Sequence, residues 1–488
     1  MGSKLFKGTV GDSLLLAVVR ILTLVVGILS TMILSRKLSL AVYGTYTQGT
    51  TIISIGTSFS ILGLTDSVNF FYNSKSGRDQ RDYVNTSFMI QLILGGLVGL
   101  AILLFRHQIC DYFQNPLLIS LFLYIAFRPL FTNFIAMLNT LQVSIGQAKL
   151  SAFRSILLSG VKILLVLLIA FASAGIEILF AALLLVDLIT IAYYSISFSK
   201  HAFWVNPFKG RGKLVREVLI YSLPMALCII ANSLIKDMDK LVIGYFEGTE
   251  SMAIYANGAY ALPIDIIANT FLVVVFPIIT RYLSKKNFLS AQGLFSEYLR
   301  IGYLTTTVFS AGLLLVAQET VIFLFGEKYL SSTPVFMLYL LIDMIKFTHV
   351  TTILSAKGWT TRLMLIFVAS LALNFVLNLL FYQLFGFNGP AIASVLVSLL
   401  TSAVLCILSA KAMDASFFSL LHKKELVWIA AQLIGVAIPE ILARNLLRKL
   451  GLPSIAILLL IGGSYVVTIL LINRRRLTNA FRSINQYK

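Results

Sequence analysis

Six basic residues, Arg20, Arg128, Arg154, Lys162, Lys236 and Lys346, stand well inside long apolar stretches. A charge at the centre of a bilayer costs at least about 2.5 to 3.5 kcal/mol on the most lenient insertion scale, so each must face protein or water. Their neighbours agree: Ser151, Arg154, Ser155, Ser159 and Lys162 fall on one stripe at helical spacing, as do Ser13, Arg20, Thr23, Gly27, Ser30 and Thr31. In the N-terminal half, Arg20, Arg128, Arg154 and Lys162 meet one clearly intramembrane acid, Asp187. An excess of cation in a wet cavity suits an anionic ligand, and a diphosphate matches because guanidinium can grip it bidentately. The competing reading is structural: Arg154 and Arg20 snorkel to the headgroups, and Arg128 pairs with Asp187.

The C-terminal half is balanced differently. Lys236 with Asp239, and Asp343 with Lys346, stand three apart on a helix face and can neutralise each other, while Asp237 and Asp265 add acid. Asn374 and Asn378 are one turn apart; with Asp239 and hydroxyls such as Ser394 or Ser398 they offer oxygen ligands to a small cation. The alternative is that the asparagines only join helices by hydrogen bonds. The four histidines are scattered, and the three cysteines, Cys110, Cys228 and Cys406, have no metal or redox spacing. Phe208–Lys213 lacks the upstream glycine and the following Ser or Thr of a phosphate-binding loop, so neither a resident cofactor nor ATP hydrolysis is expected.

The elements that must position these residues are membrane helices. The chain has 488 residues, of which 58% are hydrophobic and only 12% charged, with a mean hydropathy of +0.91. A soluble fold could not hide that much apolar surface, and the runs lack the alternation of a membrane barrel. Apolar windows predict helices near 12–34, 42–64, 85–105, 117–138, 149–170, 175–197, 216–240, 252–278, 299–323, 332–354, 362–384, 389–410, 426–446 and 452–473. The net charge of +19 lies in short clusters between apolar segments and not in a basic domain, so no nucleic acid is expected. With the N-terminus inside, about 25 Lys/Arg fall on the inner side and about 8 on the outer, which puts both termini in the cytoplasm.

An internal repeat organises the helices. Leu40–Gly44 corresponds to Met252–Ala256 at an offset of 212, and Asn115-Pro116 corresponds to Thr333-Pro334, each proline being followed twelve residues later by a base, Arg128 or Lys346. An even number of helices per half gives parallel repeats, as in some transporters. The expected divisions are 1–200, 201–412 and 413–488.

Several segments resemble the polysaccharide transporter branch of the multidrug/oligosaccharidyl-lipid/polysaccharide exporter superfamily, the Wzx-type flippases. They are Leu34–Leu38 followed by Tyr43-Gly44, Asp239–Gly244 followed by Ile254-Tyr255, then Phe276-Pro277, and Asn374 and Asn378 ahead of Gly386–Ala393. The resemblance implies an all-α polytopic membrane protein of about 14 transmembrane helices, in two pseudo-symmetric six-helix lobes around a central cavity plus two C-terminal helices. It also implies alternating-access transport of a polyprenyl-diphosphate-linked oligosaccharide across the inner membrane, and not catalysis. On this reading Arg20, Arg128, Arg154, Lys162 and Lys346 are candidate substrate-binding residues, and Asp239, Asn374 and Asn378 candidate ligands of coupling Na+ or H+. Expected partners are membrane lipids, with a polysaccharide polymerase and glycosyltransferases as further candidates. A peptidoglycan-precursor flippase, a drug or metabolite exporter, and a membrane-embedded polymerase or ligase are the rival functions.

Overall fold

A computed structural model describes residues 2–172, 175–264 and 266–486. Among them all regular structure is helical, as expected where no water is available to satisfy backbone groups. The α-helices are α1 Gly2–Lys37, α2 Leu40–Ile61, α3 Leu64–Ser74, α4 Gly77–Leu104, α5 Arg106–Tyr112, α6 Phe122–Ser144, α7 Ala148–Ala172 and α8 Ile176–His201. They continue with α9 Gly212–Phe246, α10 Gly248–Gly258, α11 Ile266–Ser284, α12 Phe288–Gly302, α13 Val308–Leu315, α14 Ala317–Phe325, α15 Thr333–Ile345 and α16 Thr352–Ala356. The last are α17 Thr360–Phe385, α18 Gly389–Ala412, α19 Phe417–Leu420, α20 Lys423–Lys449, α21 Ser454–Ile457, α22 Gly463–Ile472 and α23 Arg474–Gln486.

Ten helical stretches among the described residues are long and apolar enough to cross a membrane, or up to twelve if each of two bent pairs is one span. The protein is therefore a multi-pass membrane protein, while the count of fourteen remains an expectation of the sequence. Three of the predicted segments are not straight. Residues 252–278 are interrupted, because α10 ends at Gly258 and helix resumes only at Ile266. Residues 216–240 lie on α9, which bends by 46° where Pro224 removes a helical hydrogen bond. The segment carrying α12 and α13 turns by 82° into α14. A 3-10 turn, Lys346–Thr348, ends α15, so Lys346 lies at a helix end and not inside a helix.

The contacts divide the chain into two compact units, Met1–Ala253 and Ile254–Lys488. The first thus takes in α9, which the sequence repeat counts with the second half. One reason is local: Leu62 and Gly63 both have left-handed backbones (φ 40° and 68°) between α2 and α3. A Cβ at Gly63 would come 2.7 Å from the Ser222 carbonyl oxygen, so glycine allows α9 to lie against the break. Nearby, Leu64, Val68, Phe71, Phe88, Leu141, Phe198 and Val218 form a buried core.

In the second unit α20 and α22 pack on α13 through Val308, Ala311, Tyr465 and Ile469, with Leu433 and Val436 alongside. Both ends of α20 are tied down by charge. Near its start, Glu425 accepts hydrogen bonds from Arg300 on α12 at 2.8 and 2.5 Å. Towards its end, Arg444 and Arg448 converge on the buried Glu319 of α14, with Nε–Oε1 distances of 3.0 and 2.5 Å. Residues 425 and 444 are about 28 Å apart along a helix, close to the thickness of the hydrocarbon core.

Candidate functional site

Helices α1 and α7 pack closely along their length. Their contact is polar on one stripe: the Ser159 hydroxyl donates to Thr23 Oγ1 at 3.4 Å. Ser155 and Ser159 also bond back to the carbonyls of Ser151 and Ser155, each at 3.0 Å or less. Ser151 in turn bonds the side-chain oxygen of Asn139 on α6. Small hydroxyl residues let two helices approach while satisfying polar groups that lipid could not. The helices run in the same direction, since Lys37 at the end of α1 lies over the ring of Phe171 at the end of α7, so the Thr23–Ser159 contact has Arg20 on one side and Lys162 on the other. Each lies three residues from that contact, so the two are about 9 Å apart in depth and Arg20 is nearer the level of Arg154.

Arg128, on α6, reaches α8. Its Nε and Nη2 both lie 3.0 Å from Asp187 Oδ2, so the pair that the competing, structural reading offered is made. Lys162 is near enough to Arg128 for their charges to act on each other. Lys162 is half-buried and Arg20 exposed; among the described residues neither makes an ion pair. The first unit thus carries Lys162 and Arg128 near each other, with Arg20 on the helix packed against α7, and Asp187 as the acid of Arg128. The charge is unbalanced by cations, as the sequence suggests.

Arg154 lies two turns from Lys162 on α7, about 12 Å along the axis. It is buried, 4% exposed, which excludes the snorkelling alternative for this residue. Its guanidinium sits over the rings of Tyr193 and Tyr194 on α8, 4.2 and 4.5 Å from their centroids, an arrangement that stabilises a desolvated cation by roughly 2 kcal/mol. The tyrosines carry no cue in the sequence beyond falling two turns from Asp187 on α8. Two crevices of the first unit contain none of these cations: an apolar one of about 460 Å³ between α2, α4 and α5, and a more polar one of about 530 Å³ beside His107, Asp111 and Asn115.

The remaining predicted residues fall elsewhere. Lys346 bonds its i–3 neighbour Asp343 at 3.6 Å, as the spacing predicts. On α17, the Asn378 amide donates to the Asn374 side-chain oxygen at 3.0 Å, and Asn374 donates to Ser394 of α18 at 3.2 Å. Both asparagines are fully buried. Asp239, also fully buried, is on α9 of the first unit, whereas the asparagines are in the second. Asp265 lies outside the described residues. No group of three or more His, Cys, Asp or Glu side chains among the described residues could hold a metal ion.

Sequence reading missed a second i,i+3 pair interleaved with Lys236 and Asp239: Lys240 bonds Asp237 at 2.8 Å. Spacing alone would have flagged it. The hydroxyl of Ser54 on α2 donates to the other oxygen of Asp237 at 2.8 Å, a contact that no local pattern announces.

A family model for polysaccharide biosynthesis proteins matches residues 33–334, well over half of the chain. The chain belongs to the polysaccharide biosynthesis protein family. No curated protein matches it. Among solved structures, this family member is similar to the lipid II flippase MurJ in an inward closed conformation (TM-score 0.69, 13% identity, covering 95% of this chain and 100% of that one). It is also similar to a multidrug resistance MATE family transporter of the MOP superfamily in an inward-facing conformation (TM-score 0.65, 13% identity, 82% and 98%). A third is a MOP superfamily transporter from Pyrococcus furiosus described as having a binding pocket of reverse polarity (TM-score 0.53, 15% identity, 84% and 96%). At such identities these structures establish the fold, which is that of MOP-superfamily flippases and transporters.

Proposed function

We propose that this protein is a flippase that moves a polyprenyl-diphosphate-linked oligosaccharide from the inner to the outer leaflet of the cytoplasmic membrane by alternating access, for assembly of a surface polysaccharide. The observation that carries the reading is the set of four cations, Arg20, Arg128, Arg154 and Lys162, on α1, α6 and α7, of which one alone is paired with a carboxylate, Arg128 with Asp187. Cations kept in a membrane interior without matching acids need an anionic ligand, and a diphosphate between two water-exposed states supplies one. A drug exporter for cationic compounds would favour acidic walls instead. The resemblance of the fold to a lipid II flippase favours, as a second reading, a peptidoglycan-precursor flippase, whose substrate would use the same cations.

Orientation follows from the uneven Lys/Arg distribution, with both termini and the 198–215 loop cytoplasmic. An impermeant thiol reagent applied to intact cells should leave Lys209→Cys and Arg482→Cys unlabelled; labelling of either would overturn this topology. Coupling to Na+ or H+ is assigned to Asp239, Asn374 and Asn378 on the strength of their oxygens. A polymerase and glycosyltransferases are the expected neighbours in the pathway. The deciding experiment is a leaflet-resolved assay of lipid-linked intermediates in cells lacking the protein. Oligosaccharide-linked lipid should accumulate in the inner leaflet. Unchanged distribution would refute the flippase reading, and accumulation of peptidoglycan precursor alone would select the second one.

A further inference from the structure

Lys240 is held in a way that differs from the other cations of the first unit. It lies on α9 about two turns from Phe246, and its side chain keeps 22% of its surface open while that of Asp237 keeps 8%. Asp237 is shared: Oδ1 accepts from the Lys240 ammonium at 2.8 Å and Oδ2 from the Ser54 hydroxyl of α2 at 2.8 Å. One turn further along each helix, the hydroxyls of Ser58 and Ser233 are 2.6 Å apart. Beyond Ser54 in the other direction, Gln48 donates to Thr249 Oγ1 at 3.1 Å and accepts from Asn115 at 2.6 Å. The contact between α2 and the α9–α10 region is thus a line of polar bonds, with one ion pair in its middle.

An ion pair in such a place is poor glue. Desolvating both charges costs about as much as their attraction returns, so a packed apolar pair would hold the helices as well. The pair does, however, make the seam responsive. If an anion draws Lys240 away, Asp237 is left as a buried carboxylate whose neutralising partner has gone, with only a hydroxyl donor remaining. Such a charge is several kcal/mol unfavourable until water reaches it. Water reaches it when α2 parts from α9 and the Ser54 bond breaks.

The geometry points to Lys240 as a further residue for the substrate's diphosphate, with Asp237 as its resident counter-ion and the Asp237–Ser54 bond as the latch that binding releases. This inference rests on the flippase reading and adds to it a residue and a link between ligand binding and opening of the α2–α9 seam.

The seam supplies its own reporter. In a chain carrying Cys110→Ser, Cys228→Ser and Cys406→Ser, the substitutions Ser58→Cys and Ser233→Cys place two thiols at the 2.6 Å contact. Oxidative cross-linking is then timed in nanodiscs with and without farnesyl diphosphate, using farnesol as the uncharged control. Farnesyl diphosphate should slow cross-linking about tenfold and farnesol should not, since only a ligand with differential affinity shifts the open state. Lys240→Gln should abolish the response and Lys240→Arg should retain it. Asp237→Asn should cross-link at the fast rate with or without ligand, since no buried charge remains to open the seam, whereas Lys240→Gln should be slow in both. A response undiminished in Lys240→Gln, or farnesyl diphosphate binding by equilibrium dialysis with no change in cross-linking, would overturn the latch while leaving the flippase reading intact. No binding by the unsubstituted protein, with intact cells of the deletion strain showing normal leaflet distribution of lipid-linked intermediates, would remove both.

Discussion

The intramembrane charges of the two units are arranged on opposite plans. In the second unit they close on one another: Arg300 with Glu425 and Glu297, Arg444 and Arg448 with Glu319, Lys346 with Asp343. The two arginine clusters join helices and hold α20 at both ends, while Lys346 and Asp343 close on each other three residues apart. Of the four cations Arg20, Arg128, Arg154 and Lys162 in the first unit, Arg20 and Lys162 are without ion pairs among the described residues, Arg154 rests on aromatic faces, and Arg128 alone has a carboxylate. The difference separates charge used as scaffold from charge kept available. A buried cation already neutralised by a bidentate acid has little left for a ligand, whereas one held by a ring face keeps its hydrogen-bond donors.

The contrast can be broken most severely at Glu319, which is 2% exposed. Glu319→Ala leaves two arginines facing each other and should cost about 3 to 5 kcal/mol, seen as a marked drop in thermal stability of the purified protein, with transport per folded molecule preserved. A transport defect at normal stability would move this cluster into the functional class. Next in size is Arg128→Ala, which should lower flipping about tenfold or more in a deletion strain at normal expression, as loss of one desolvated charge-assisted contact entails. Arg128→Lys should restore part of it, because charge survives without the planar fork, and Arg128→Glu none. Full complementation by both Arg128→Ala and Lys162→Ala would end the cationic-site account.

Smaller effects sharpen the comparison further. Lys162→Ala and Arg20→Ala should each weaken flipping several-fold while leaving melting unchanged or raised, since a desolvated or like-charged cation is removed; a lowered melting temperature would class them as structural. The smallest expected change is in Asn374→Ala. If the asparagine only joins α17 to α18, it should cost roughly 0.6 kcal/mol of stability and leave ion dependence untouched. As a coupling ligand it should instead abolish the response of transport to a Na+ or proton gradient, as should Asp239→Asn.

Much of this plan was legible in advance, for uneven reasons. The Arg128–Asp187 pair was open as the structural alternative, there being one acid for several bases, and Lys346–Asp343 followed from spacing on a helix. Arg154 was legible as an intramembrane cation but its tyrosine cradle was not, since aromatic residues are common in every membrane helix. Among neighbouring i,i+3 pairs, Lys240 with Asp237 was passed over because Lys236 and Asp239 overlap it in the same run. The bend of 82° after α13 was equally hidden: no proline marks it, and hydropathy continues through it.

By itself the sequence determined that this is a helical, multi-pass membrane protein with more cation than acid in the membrane part of its first half. Those properties are local, being set by the transfer energy of runs of about 20 residues and by the cost of each charge within them. Only the tertiary structure decided which charges are neutralised and which stay available. The deciding contacts join residues 59 apart for Arg128 and Asp187, 125 for Arg300 and Glu425, 136 for Thr23 and Ser159, and 183 for Ser54 and Asp237. At such separations partners are chosen by helix packing and register, which depend on the summed fit of whole helix faces and leave no signature at either residue alone.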